Sequence, residues 1–196
     1  MGAASRPPRD LRVRLAEARG SGPLTVVVET ERLRLRRLAP ADLAAHHAGL
    51  GSDPEVTWDH RARTLEQSAE VLRRRVGHWA AHGFGMWAVE WRATGAFLGE
   101  AGLQHFDGTD DIEVGCYLAR STWGRGIATE AGSAALRHGF ETLGLDRIVA
   151  VVRPENAGSK RVLAKLGLRF AAIEDHYGIR DVEVWEIARG DAATRR

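Results

Sequence analysis

A chain of 196 residues with 44% hydrophobic side chains has the apolar material for one domain with a substantial core, since the share of surface that folding buries grows with chain size. Twenty-eight Lys and Arg against 26 Asp and Glu leave a net charge of only +2, which gives no steer toward nucleic acid or a membrane surface. The single cysteine, Cys116, excludes an internal disulfide framework and fits a reducing, cytoplasmic setting, and no run approaches the roughly 20 apolar residues of a membrane helix.

Residues 1–24 carry Arg6, Arg9, Arg12, Arg14 and Arg19 against Asp10 and Glu17, broken by Pro7, Pro8, Gly20, Gly22 and Pro23. They read as a basic, flexible extension; the sharper reading is a contact with ribosome or RNA. A folded domain is expected over 25–189, with 190–196 as a tail. Val26 to Val28, then Leu33 and Leu35 alternating with Arg32, Arg34 and Arg36, predict a first strand with one wet face. Pro40 opens a short helix through Leu43, His47 and Leu50. Thr64 and Gln67 have the spacing of a capping box, and Leu65, Ala69, Leu72, Val76 and Trp79 mark a second helix. Arg73 to Arg75 fall on its other face, where charge is expected to be solvated. His78 and His82 stand one helical turn apart, as two metal ligands would. They lack an adjacent glutamate or any acidic or cysteine cluster, so no metal is expected.

Residues 86–91 and 96–106 flank a turn at Thr94-Gly95 and predict a hairpin. The acidic turn of Asp107, Gly108, Asp110 and Asp111 leads into a further strand at 112–118, completing an antiparallel meander. Alternation puts Glu113 and Gly115 on one face of that strand and Ile112, Val114 and Cys116 on the other, where Cys116 reads as a small packed side chain. Then come a helix at 127–143, a strand at 147–152, a helix at 159–166, a strand at 170–173 and a last strand at 183–188. Gly144 and Gly167 fall where helix C-caps are expected. The pattern is that of a mixed α/β sheet.

The stretch WGRGIATEA, Trp123 to Ala131, joins strand 112–118 to the following helix through Gly124 and Gly126, with no acid before Glu130. A helix start leaves four backbone N–H groups unpaired and carries partial positive charge, so an anion, and a phosphate in particular, is its natural partner. It is not a P-loop, because the chain has no Gly-Lys pair. As a dinucleotide fingerprint it is incomplete, because Thr129 stands in place of the third glycine.

Read together with the strand 147–152 and NAGSKRVLAKLGL from Asn156 to Leu168, this stretch resembles the acetyl-CoA motif of the GNAT superfamily of N-acetyltransferases. Within that superfamily it is similar to the branch of ribosomal-protein N-terminal acetyltransferases. Gly126, Ile127 and Ala128 fill the last three places of the motif, and Trp123 departs from it at the first. ETERLRLRRLAPADL, Glu29 to Leu43, is similar to the branch's opening strand and helix, and the resemblance spans about residues 25–188. It implies a three-layer fold with a central, mostly antiparallel sheet, splayed between its fourth and fifth strands and flanked by helices.

For chemistry the resemblance implies acetyl-CoA as co-substrate. Its pantetheine arm would lie along Cys116, Tyr117 and Leu118 like an added strand, with the pyrophosphate on Trp123, Gly124, Arg125, Gly126, Ile127, Ala128 and Thr129. Asn156 has two readings, helix N-cap and side-chain contact to the cofactor. An amine attacks a thioester only when neutral, so a base is required, and the resemblance favours Glu113, with Glu100, His105 and Asp107 as rivals. A backbone N–H of the splayed strand would stabilise the oxyanion. Leu163 stands where many relatives place an acidic tyrosine, and Ser159 is the implied substitute as proton donor to the leaving thiolate. Trp58, His60, Trp79, Trp87 and His105 are candidates for the acceptor pocket, though aromatics at such spacing also build cores. The acceptor stays open between a protein N-terminus and a small amine, including aminoglycosides and polyamines. A non-catalytic acyl-CoA-binding module is the competing class, and a homodimer is left open.

Overall fold

The computed structural model describes residues 28–193. The basic extension at 1–24 and the expected strand residues Val26 and Val27 lie outside them. The expected first strand is two short ones, β1 (Val28–Glu29) and β2 (Leu33–Arg37), paired antiparallel across a turn closed by Thr30 N–H on the Leu33 carbonyl at 2.9 Å. A 3₁₀ turn with Pro40 at its first position leads into α1 (Leu43–His46), which widens into a π-type turn at His47–Gly51. The second helix, α2 (Leu65–His82), starts where Thr64 Oγ1 accepts from Gln67 N–H and Gln67 Oε1 accepts from Thr64 N–H. It stops at Gly83, whose φ of 75° suits a residue without Cβ.

Strands β3 (Met86–Trp91), β4 (Phe97–His105) and β5 (Ile112–Leu118) form the expected meander. The next helix, α3 (Ile127–Arg137), continues as a π-type turn at His138–Thr142 rather than as α-helix to 143. After β6 (Arg147–Val152) and α4 (Ala157–Leu166), the last two strands are longer than their hydrophobic runs: β7 (Arg169–His176) and β8 (Ile179–Ala188). A short helix, α5 (Arg189–Ala193), follows. The eight strands lie in the order β1-β2-β3-β4-β5-β6-β8-β7, with β8 inserted between β6 and β7. Every pairing is antiparallel except β5 with β6.

Period-two alternation sends side chains to both faces of this sheet. Trp87 and Val89 of β3, Leu103 of β4, Val114 of β5 and Ile148 of β6 join Ile127, Ala131, Ala135 and Leu163 of α3 and α4 in the main core. Met86 and Ala88 point the other way and pack with Leu38 and Leu72, the latter from α2. Helices on both faces give three layers. The α2 face also buries charge: Glu90, Glu100 and Glu113 are 7%, 2% and 3% exposed. Such groups persist only when paired or neutral. Glu90 is held by Arg36 at 2.6 Å, and Arg36 is forked onto Asp42 at 2.8 and 2.7 Å. Among the described residues no helix is long and apolar enough to cross a membrane.

Candidate active site

The one parallel contact in the sheet is also its weakest. Strand β5 pairs with β4 along its whole length, from His105 opposite Ile112 to Gly99 opposite Leu118, but meets β6 only where Glu113 stands beside Val149. Toward the C-terminal ends the two strands part, so Cys116, Tyr117 and Leu118 have no residue of β6 across from them. A gap of this kind exposes main-chain groups to an extended, amide-bearing ligand, as an edge strand does to a peptide. At its far end the Leu118 carbonyl accepts from the Trp123 indole N–H at 2.8 Å, which fixes the turn into the glycine loop.

In that loop Gly124 and Gly126 have φ of 74° and 76°, a region that costs a residue with Cβ. Gly126 is the N-cap of α3 and offers no side chain to the first-turn amides. A Cβ at Gly124 would project into open space, and one at Gly126 would meet only the far end of a flexible side chain, Arg32 Nη2 at 3.4 Å. The one acid in the first turn, Glu130, is turned aside. It accepts from Thr30 Oγ1 at 2.5 Å, Arg32 N–H at 2.9 Å and Arg32 Nε at 2.7 Å. Burial pushes its carboxyl pKa up, but these bonds outweigh burial and hold it below the ordinary value. Its charge is thus matched by Arg32 and does not oppose an incoming anion. Arg32 also reaches the Arg125 carbonyl at 2.9 Å, and the Arg125 guanidinium lies 5.0 Å from the Trp91 ring centroid. Uncapped amides, open space and a neutralised carboxylate fit a diphosphate.

On the α2 face of the sheet, next to the gap, lies a cavity of about 510 Å³. Tyr117 of β5 and Val151 of β6 both line it, so it opens where the strands part. A chain of polar side chains runs along its floor. His46 Nε2 is 3.4 Å from Glu100 Oε2, and Arg75 donates to Glu100 Oε1 from Nε and Nη2 at 3.1 and 2.9 Å. Arg75 Nη1 also donates to Gln104 Oε1, and Gln104 Nε2 donates to Glu113. The Tyr177 hydroxyl hydrogen-bonds Glu113 from the other side and accepts from Asp107 N–H at 3.1 Å.

The two buried carboxyl groups along this cavity floor, Glu100 and Glu113, are driven apart. For Glu100 burial pushes the pKa up, but the Arg75 charge and His46 overcome it and hold the group down at about 2. For Glu113 burial wins: hydrogen bonds from Gln104 and Tyr177 offset it only in part, and the pKa stands above the ordinary carboxyl value. One carboxylate is permanently ionised and locked to Arg75; the other can take up a proton. Opposed shifts of this kind mark acid–base sites. The Tyr117 phenol and the Cys116 thiol are each pushed up to about 12, first by burial, so neither ionises near neutral pH.

A model of the acetyltransferase (GNAT) domain matches residues 32–169. The chain belongs to the GNAT acetyltransferase family. It is 32% identical over 145 residues to the Bacillus subtilis protein YkkB, covering 72% of this chain and 84% of that one. It is 29% identical over 155 residues to the uncharacterised N-acetyltransferase YoaA of the same organism, covering 77% and 87%. Among solved structures, an acetyltransferase from Agrobacterium tumefaciens superposes with a TM-score of 0.73 at 28% identity, over 82% of this chain and 93% of the other. RimJ of Mycobacterium smegmatis, solved with CoA-disulfide, gives 0.66 at 26% identity, over 83% and 87%.

In this acetyltransferase the residues singled out from sequence divide sharply. Cys116, Tyr117 and Leu118 border the gap, and 124–129 form the uncapped loop; Trp123 is 51% exposed beside it. Asn156 is the N-cap of α4, its Oδ1 accepting from Ser159 N–H at 2.9 Å, and Ser159 is half-buried in the first turn. Glu113 lies one layer behind the cavity wall, screened by Gln104 and Tyr177. Trp58 and His105 line the cavity. Trp79 and Trp87 do not: both are buried in the main core, and the Trp79 indole donates to the Met86 carbonyl at 2.7 Å. His60 is exposed on the surface, bonded to the Pro54 carbonyl at 3.2 Å. Asp107 is taken up in the β7–β8 turn, accepting from Tyr177 N–H at 2.6 Å.

Four participants escape the sequence reading: His46, Gln104, Arg75 and Tyr177. Arg75, expected in solvent with Arg73, is half-buried in line with the stripe of Ser68, Leu72 and Trp79 and neutralises Glu100. Tyr177 sits at φ 54° with Gly178 at 74° in a two-residue hairpin turn that requires positive φ at both positions. A bulky residue there is strained by about 1–2 kcal/mol, and Asp107 and the Trp58 ring, 6.1 Å away, hold it in place. An aromatic directly before the turn glycine is the sequence signal that points to it.

Proposed function

We propose that this chain transfers the acetyl group of acetyl-CoA to a primary amine held in the cavity on the α2 face. The observation that carries this is the opening of that cavity at the β5–β6 gap, between Tyr117 and Val151, with a carboxyl of raised pKa one hydrogen bond behind its wall. The amides of Gly124 to Thr129 would hold the diphosphate, and Cys116 and Tyr117 the pantetheine amides. When bound, acetyl-CoA supplies an acyl group already activated as a thioester.

The chain's own residues then manage protons and position. As nitrogen bonds to the carbonyl carbon and the carbon–sulfur bond breaks, the amine proton passes to the Tyr177 oxygen while the Tyr177 proton moves to Glu113. The departing sulfur takes a proton through the Ser159 hydroxyl at the start of α4, which draws one in turn from solvent water as the proton on Glu113 returns to solvent, so no alkoxide is left. Leu163 is buried in the core and offers none. Arg75, held by ionised Glu100, orients Gln104 and through it Glu113.

The cavity wall also bears on the acceptor. Arg63, Arg74 and Arg75 line it, and Glu100 is the one carboxylate among the lining residues, already matched by Arg75. With Arg63 beside Asp59 at 3.7 Å and Arg75 on Glu100, Arg74 is the lining cation that favours an amine on a small or anionic molecule, or an N-terminus followed by acidic residues, over an aminoglycoside or polyamine. Thiol release from acetyl-CoA with a panel of amines tests both points. Turnover is expected with acidic peptides or amino acids to exceed that with spermidine or kanamycin. No turnover with any amine refutes the transfer reading, and preference for polycations refutes the charge argument.

A further inference from the structure

Sequence leaves His78 and His82 as a pair without a third ligand, and the fold supplies one. Strand β4 ends at His105 beside the last turns of α2, and the candidate ligand nitrogens of the three imidazoles all lie within 4.8 Å of one another. His78 Nε2 and His105 Nδ1 are 3.2 Å apart. Two nitrogens bound at about 2.0–2.1 Å to one tetrahedral ion stand roughly 3.3 Å apart, so this edge is already at coordination length. The His82 ring centroid is 4.5 Å from each of the other two.

The tautomer of His78 is also set. Its Nδ1 lies 2.8 Å from the Phe84 carbonyl, to which only an N–H can donate, so Nε2 carries the lone pair. The His105 backbone N–H points at that same Nε2 from 3.5 Å. A ligand histidine anchored through its other nitrogen to a backbone carbonyl is the usual outer-shell arrangement of a metal site.

We propose that His78, His82 and His105 form a binding site for one divalent transition-metal ion, with zinc the best fit, at the end of the cavity. Three imidazoles without thiolate or carboxylate suit zinc, copper, nickel or cobalt rather than magnesium or calcium. Three protein nitrogens leave a fourth position for water, and His78 and His105 both line the cavity from which water reaches it. The ion would clamp α2 to β4, because two ligands belong to one and the third to the other. This inference does not depend on acyl transfer.

The test uses the untagged full chain, stripped of metal and titrated with zinc against a chromogenic chelator. One equivalent is expected to bind, and the melting temperature is expected to rise by about 5–10 °C at a hundredfold excess of free zinc over Kd. Loss of one of three ligands outweighs loss of an outer-shell partner, so His82→Ala should weaken binding by more than about 100-fold. His82→Ala should also abolish the thermal shift, while its metal-free melting temperature stays near that of the parent chain. His60→Ala, which removes an exposed imidazole away from the cluster, should bind as the parent does. Cobalt in place of zinc should give visible bands of tetrahedral intensity. Absence of a one-equivalent transition overturns the proposal, and so does zinc affinity in His82→Ala within threefold of the parent, which would place the ion elsewhere on the chain.

Discussion

Replacing Glu113 by Gln removes one ionisable proton site and almost nothing else. The amide has the carboxyl's shape, so the contacts to Gln104 and Tyr177 at the back of the cavity are kept in outline. If Glu113 is the proton sink, turnover falls by about 10²–10⁴-fold, the usual contribution of a positioned base, while the KM for acetyl-CoA changes little. Stability moves the other way. The folded-state pKa of Glu113 lies above its unfolded value of about 4.5, so the folded protein holds this proton more tightly. The associated stabilisation is complete below pH 4.5 and is lost as pH rises through the folded value. At neutral pH and above, ionised Glu113 is therefore a burden that Gln relieves, and the melting temperature of Glu113→Gln should equal or exceed that of the parent, by a margin that widens as pH rises. Steady-state thiol release from pH 5 to 9, with melts at the same pH values, reads both effects. In the parent the acidic limb of kcat/KM should lie above the ordinary carboxyl range, and it should vanish in the variant. A loss below tenfold with that limb unchanged would refute the assignment and move the base elsewhere on the cavity wall.

Arg75→Met leaves the buried Glu100 carboxylate with only His46 beside it and should cost up to about 3–5 kcal/mol in denaturant unfolding; adding Glu100→Gln should recover most of it, and failure to recover would show that the pair does not carry the cost. Gly126→Ala puts a residue with Cβ at φ 76°, 3.4 Å from Arg32 Nη2 and at the mouth of the amide cradle; we expect about 1–2 kcal/mol of destabilisation and weaker acetyl-CoA binding by calorimetry, with acceptor KM unchanged. Ser159→Ala should lower kcat less than Glu113→Gln does, because a coenzyme A thiolate is a good leaving group; an unaltered kcat would mean that sulfur leaves unassisted or through water.

What was legible in the sequence is what local chemistry dictates. The glycine loop, the Thr64 and Asn156 caps and the faces of β5 all follow from rules that act within a few residues. The opposed environments of Glu100 and Glu113 do not. Both are glutamates on adjacent meander strands, and what separates them is Arg75, 25 residues before Glu100, and Tyr177, 64 residues beyond Glu113. Composition gave Arg75 a solvated place because two neighbouring arginines share its type; its position in line with the buried stripe of α2 decides otherwise.

The aromatics show the converse. Tryptophans are large enough to look like pocket walls, yet Trp87 is fully buried and Trp79 nearly so, because β3 crosses the middle of the sheet and α2 lies across it. The ring that does reach the buried carboxyl, Tyr177, comes from a hairpin whose strand was foreshortened in the sequence because β7 has little apolar periodicity: its residues are mostly exposed. A strand at the edge of a sheet needs no hydrophobic face to form when its partner β8 is already fixed between it and β6. Its turn is then fixed by Asp107 from the far side of the site, and the strain of Tyr177 is balanced by that anchor. The proposed acid–base partner and the clamp that holds it thus come from two loops that share no local signal, and only the closing of the sheet through β8 brings them together.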